Sequence, residues 1–227
     1  MTPEPLRWSM EWWKDEIGVA QSALVCVTAI VALLGINEWR RQTLGKRKIE
    51  LAEQVLASFY EARDVFVWVR SPAAFAGEGD TRQAVDEDDD VRRNRNTYFV
   101  PIERIQKHSE LFAKLQSQRY SFMAVFGTEA VKPFELLRQA QVRITVSAGT
   151  LIRMVGNRAA EERNRDLWDR CEGDIWEGLH EANDKPDKVK ELITGSVDLI
   201  EGYCRPVLLQ SGRYLLQPAT WFKGKKN

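Results

Sequence analysis

From Ile17 to Ile36 the chain reads IGVAQSALVCVTAIVALLGI, twenty residues without a charge. At 1.5 Å per residue such a helix is about 30 Å long, the thickness of a bilayer's hydrocarbon core. Ten of the twenty are Leu, Ile or Val, each favourable by roughly 0.3–0.6 kcal/mol at mid-membrane. Gln21 is the one strongly polar member and stands near the outer end. The segment predicts a transmembrane helix over 17–37, and the remaining chain is read around it.

The flanks agree with a crossing. Four of the eight Trp residues (Trp8, Trp12, Trp13 and Trp39) fall in the first 39 positions. Trp13 and Trp39 are about 39 Å apart along a helix, so their indoles reach the two headgroup zones that indoles prefer. A cleaved signal peptide needs a basic start and a small-residue cleavage site. Here Glu4, Glu11, Asp15 and Glu16 precede the run, and NEWRRQ comes after it. Arg40, Arg41, Lys46, Arg47 and Lys48 crowd its C-terminal side, against Arg7 and Lys14 before it. The positive-inside rule then predicts residues 1–16 outside and residues 38–227 in the cytoplasm of a bacterial inner membrane.

Beyond the crossing the apolar period is helical. Ile49, Ala52, Leu56, Phe59 and Phe66 recur at steps of about three or four, or a multiple of that, and the stripe stops at Ser71-Pro72. Residues 73–98 carry seven acidic residues and four arginines without apolar periodicity, which predicts a mobile acidic loop that a short linker could replace. Asp86-Glu87-Asp88-Asp89-Asp90 lacks the alternating ligands and central Gly of a calcium loop, so it reads as solvated charge. A second helix is expected from Pro101 to Gly127, a third from about Pro133 to Gly156, and a charged, outlying stretch over 158–181. A fifth helix is expected after Asp187, with Pro206 ending or kinking it. The expected fold class is all-α: a single transmembrane helix continuing into an antiparallel helical bundle. Its core should include Leu56, Phe59, Phe112, Leu115, Phe134 and Ile144.

Between Trp39 and Pro72 the chain carries Trp39, Leu44-Gly45, Glu50-Leu51-Ala52, Tyr60-x-x-Arg63-Asp64 and Val69-Arg70-x-Pro72. This stretch resembles a group of bacterial membrane-anchored proteins without an assigned function. The resemblance implies a single-pass anchor with a cytoplasmic helical domain and brings no catalytic residues with it.

Composition narrows the partners. Lys+Arg and Asp+Glu are 33 each, for zero net charge, so no nucleic-acid partner is expected. Three Cys in 227 residues do not make a disulfide scaffold, and Cys171 and Cys204 are expected as free thiols in a reducing compartment. Of the two His, His108 has Arg104 four positions before it, closer than the arginine–histidine pair of helical RNases. Glu177-x-x-His180 has the spacing of half a di-iron site, but the sequence holds no second such pair. There is no CxxC, HExxH, P-loop or GxSxG. No catalytic residue, metal site or cofactor is assigned.

Two features point to contacts rather than chemistry. Arg40, Arg41, Lys46, Arg47 and Lys48 can meet anionic lipid headgroups, at about 1 kcal/mol per near-surface charge. Gly18, Ser22, Cys26 and Ala29 form a stripe of small residues along which two membrane helices could self-associate into a homo-oligomer. The resulting expectation is a membrane-anchored, non-enzymatic interaction or scaffold protein with a protein partner. Two other classes compete: a membrane-acting effector of a stress or phage-defence system, and a hydrolase with a cryptic site in the bundle. Carboxylate or His side chains inside the bundle would favour the last.

Overall fold

The computed structural model describes the backbone of residues 5–182 and 185–215, and side chains mainly between positions 43 and 209. Every element among these residues is helical: α1 (Pro5–Val69), α2 (Asp89–Lys107), α3 (Ser109–Phe126), α4 (Lys132–Met154), α5 (Arg158–Arg163), α6 (Arg165–Ile175), α7 (Leu179–Ala182) and α8 (Lys188–Leu215). A 3-10 turn, Thr128–Val131, joins α3 to α4. The chain divides into two units, Met1–Lys48 and Ile49–Asn227.

In the first unit the described side chains Val25, Val31, Leu34, Trp39 and Leu44 are exposed. Among the described residues no helix is long and apolar enough to cross a membrane. Most side chains of the run Ile17–Ile36 lie outside the described residues, as do those of Gly18, Ser22, Cys26, Ala29, Arg40 and Arg41.

The second unit is a helical bundle organised around α4, against which α2, α6 and α8 all pack. The sequence of α4 explains its position. Phe134, Leu137, Ala140, Ile144, Ala148 and Leu151 are all buried, and the small Ala140, Ser147 and Ala148 let neighbouring helices approach closely. Phe59 of α1 meets Phe134 edge-on at 4.9 Å, and Phe66 meets Phe112 of α3 at 5.5 Å. All six residues expected in the core are buried. The α8 helix runs antiparallel to the C-terminal half of α1: Arg70 pairs with Asp187 at 2.8 Å, and Tyr60 donates to Glu201 at 2.5 Å.

The structure corrects several boundaries. The irregular segment is shorter than 73–98, because α2 opens at Asp89 rather than at Pro101. Asp89 and Asp90 occupy its first turn, where carboxylates complement the helix dipole, so the acidic run starts a helix. The turns before it are tied down. Glu87 receives hydrogen bonds from Arg82 and Arg95, Asn96 donates to Asp80, and the Gly79 amide donates to Glu103. Gly79 has φ +88°, and a Cβ there would collide with the Asn96 carbonyl. The expected second helix is broken at His108, which separates α2 from α3. The 158–181 stretch is not wholly outlying, since Cys171, Asp174, Ile175, Trp176 and His180 are buried. Pro206 does not end α8, which continues to Leu215. The carbonyl deprived of its partner is that of Gly202, and both residues are exposed, so water can satisfy it.

Two buried arginines close the bundle's loops. Arg104 is fully buried; it donates to the carbonyls of Trp68, Ser71 and Ala73, and to both oxygens of Glu78 at 3.2 and 2.6 Å. Its guanidinium lies over the Trp68 ring at 4.9 Å. It thereby satisfies carbonyls freed at the end of α1 and fixes the loop beyond. Arg70 does the same for α6, donating to the carbonyls of Gly173, Asp174 and Trp176 and to Asp187.

Candidate functional site: the cleft between helices 4 and 6

One stripe of α4 is left open. Arg138, Val142, Val146 and Thr150 succeed each other at four-residue steps, which places them one above another on a helix. Val142 and Val146 are 47% and 58% exposed. The α6 helix contributes Leu167, Arg170, Cys171 and Asp174 to the opposite wall, and Leu192 of α8 borders the end. Together they enclose an open cleft of about 450 Å³.

The polar side of the cleft is built from inside the bundle. Asp174 is buried and accepts from Arg143 Nε at 2.8 Å and from Ser147 Oγ at 2.9 Å. The buried His180 has Nε2 3.5 Å from Asp174 Oδ1 without making a hydrogen bond. Its ring fits because position 173 is glycine, where a Cβ would run into the imidazole. Arg70 caps the carbonyls around Asp174, so the carboxylate's position is set by the C-terminal end of α6. Arg138 and Arg170 form no ion pair among the described residues, and both are exposed at the rim. The cleft therefore combines two exposed valines with three guanidinium groups, only one of which is neutralised by a carboxylate.

Its potential nucleophiles are not activated. Ser147 donates to Asp174 rather than to the imidazole. Burial pushes the Cys171 thiol above its ordinary range, and a hydrogen bond with Ser147 only partly opposes this. A thiol raised in this way stays protonated near neutrality and is a poor nucleophile.

Of the residues singled out from sequence, Cys171 lines the cleft and His180 lies beside its Asp174. Lys46 and Arg47 are exposed and Lys48 is half-buried; the remaining members of the basic cluster and the small-residue stripe lie outside the described residues. His108 packs edge-on against Trp68 at 5.4 Å. Glu177 and His180 do not belong to any group of three or more metal-ligating side chains among the described residues. Sequence reasoning passed over the cleft, although Val142 and Val146 carried a signal. They are apolar and lie off the stripe formed by Phe134, Leu137, Ile144 and Leu151.

No protein-family profile, curated protein or solved structure matches this chain.

Proposed function

We propose that the chain is a single-pass, membrane-anchored interaction protein, held by Ile17–Ile36, whose cytoplasmic helical domain receives a protein partner in the α4–α6 cleft. The observation that carries this reading is the exposure of Val142 and Val146 between Arg138, Arg143 and Arg170. Apolar area flanked by three guanidinium groups, of which only Arg143 is paired with a carboxylate, suits a partner segment with apolar side chains and carboxylates. A helix laid along α4 would meet such a stripe at its own three- and four-residue spacing. The charge-free run, its Trp flanks and the basic residues after it support the anchor and its orientation. On the same reading Arg40, Arg41, Lys46, Arg47 and Lys48 contact lipid, and Gly18, Ser22, Cys26 and Ala29 are the surface for self-association.

A photo-crosslinking side chain at position 146, in the full-length chain in its own cells, tests the cleft. The expected result is one discrete adduct that disappears with Arg138→Glu or Val142→Asp. The same probe at exposed Ser117 should give no such adduct. Equal yields from both positions, or an adduct indifferent to the cleft substitutions, would overturn the assignment.

A second reading, a hydrolase, draws on the gathering of Asp174, His180, Ser147 and Cys171 beside the cleft. Reaction of the full-length protein with electrophilic serine or cysteine hydrolase probes, lost in Ser147→Ala or Cys171→Ala, would support it. The direction of the Ser147 hydrogen bond and the raised Cys171 thiol favour recognition instead.

A further inference from the structure

We propose that His180 regulates the α4–α6 cleft by taking up a proton, which releases Arg143 to an anionic ligand. The inference rests on the cleft reading above and adds its control. Asp174 Oδ1 accepts from Arg143 Nε at 2.8 Å and stands 3.5 Å from His180 Nε2, while Oδ2 accepts from Ser147 Oγ. The His180 and Asp174 side chains are only 7% and 4% exposed, so water does not mediate freely between them. Nε2 has no hydrogen-bond partner among the described residues. The ring edge that carries it lies against Gly173, and the His180 carbonyl accepts from the Lys185 amide at 2.9 Å. The imidazole is therefore held beside the carboxylate without being bonded to it.

Protonation changes that relation. An imidazolium donates from both ring nitrogens, and a charge-assisted bond to Oδ1 needs a closer approach of about 0.7 Å. It would engage the same oxygen that neutralises Arg143. The other charged groups around the ring are already committed. Arg70, arriving from α1, donates to the carbonyls of Gly173, Asp174 and Trp176 and pairs with Asp187. Burial raises the Cys171 thiol, which stays protonated near neutrality and supplies no counter-charge. Glu177 is half-buried and Lys185 is exposed. With His180 protonated, Asp174 balances two cations instead of one. Arg143 is the one that reaches the cleft, at 31% exposure, so its charge becomes available to a ligand carboxylate or sulfonate. Imidazoles change charge between about pH 5 and 8. Anion binding should strengthen as the pH falls through that interval, and binding and proton uptake should favour each other.

The test uses the full-length chain in phosphatidylcholine nanodiscs and 2-naphthalenesulfonate, an apolar ring with an anion that does not titrate in this interval. Ligand-observed NMR should show binding about fivefold tighter at about pH 5.5 than at about pH 8. Arg138→Glu should abolish it, and His180→Gln should remove its pH dependence. His108→Gln leaves His180 as the one imidazole of the chain. There the pH dependence should persist, and the histidine ring nitrogen resonances should titrate over the same interval and move to higher pH when the probe is added. Those resonances decide the matter even if His180→Gln does not fold. Equal affinity at both pH values, no binding at either, a response that survives His180→Gln, or ring resonances indifferent to the probe would overturn the proposal. The photo-crosslink from position 146 reads the protein partner separately. A pH-dependent probe without an adduct defeats only the protein-partner reading. An adduct accompanied by a pH-indifferent probe defeats only the switch.

Discussion

Arg104 shows how one side chain can hold several elements. It is fully buried, and its five-donor guanidinium is used against three carbonyls and both oxygens of Glu78. Truncating it strips the guanidinium from a buried carboxylate and three carbonyls, leaving Glu78 only the Phe75 amide and Trp68 only the Ser71 amide. Arg104→Ala should cost about 3–5 kcal/mol by denaturant titration, as for other broken buried pairs. Arg104→Lys should recover little, because a point charge cannot reproduce the fork. A loss below about 1 kcal/mol would mean that water replaces the guanidinium. Glu87 makes a separate prediction about pH. Hydrogen bonds from Arg82 and then Arg95 hold its carboxyl down to about 2, from an ordinary value of 4.5. Arg205, and after it Tyr60, hold Glu201 down to about 2 in the same way. A depressed folded-state value contributes stability above the unfolded value, and that stability is lost as the pH falls through the folded one. Thermal midpoints should accordingly fall between about pH 4.5 and 2, and the combined Glu87→Gln and Glu201→Gln variant should show a shallower slope there. An unchanged slope would show that these pairs contribute nothing across that window.

Among the elements, α6 and the loop before α2 depend on close approach more than on propensity. Gly173 lies within α6, where Ala would ordinarily stabilise a helix by up to about 1 kcal/mol. At this position the added methyl meets the His180 ring, so Gly173→Ala should instead lower the midpoint by several degrees. A rise would mean that the imidazole moves aside freely. The 76–95 segment makes the sharper case. Replacing it with a Gly/Ser linker removes Glu78, Glu87 and the first turns of α2. We expect a fall of many degrees in the thermal midpoint of the detergent-solubilised protein. A near-wild-type midpoint would show that the loop's ion pairs are idle.

At the scale of the whole molecule the testable quantity is topology. Five basic residues come after the apolar run and two precede it, and positive charge is the costly thing to translocate. The native thiols make a quiet background. Cys171 and Cys204 are buried, and burial lifts Cys204 to about 11. In a Cys26→Ser chain, Ser9→Cys should react with an impermeant thiol reagent added to intact spheroplasts. Ser117→Cys, on an exposed position of α3, should react only after lysis. Labelling of Ser117→Cys before lysis, with Ser9→Cys protected, would invert the orientation and place the cleft on the other side.

The amino-acid sequence determined the helical class and the core faces. Spacing of Phe59, Phe112, Phe134 and Ile144 reports a local period, and a 3.6-residue period needs no knowledge of neighbours. It also marked the ends of α3 and α4, because Gly127 and Gly156 adopt the positive φ that non-glycine residues avoid. Tertiary structure decided the fate of the charges. In sequence Asp86–Asp90 and Arg92–Arg95 look like solvated polar chain, and nothing local shows that Glu87 will bridge Arg82 and Arg95, or that Arg104 will find Glu78 twenty-six positions away. Likewise Asp174 became a buried carboxylate because Arg143 and Ser147 of α4 donate to it, while Arg70 holds its backbone carbonyl. Whether a charge is solvated or buried depends on which partners the fold brings within about 3 Å, and that distance is fixed by packing between elements rather than by position along the chain.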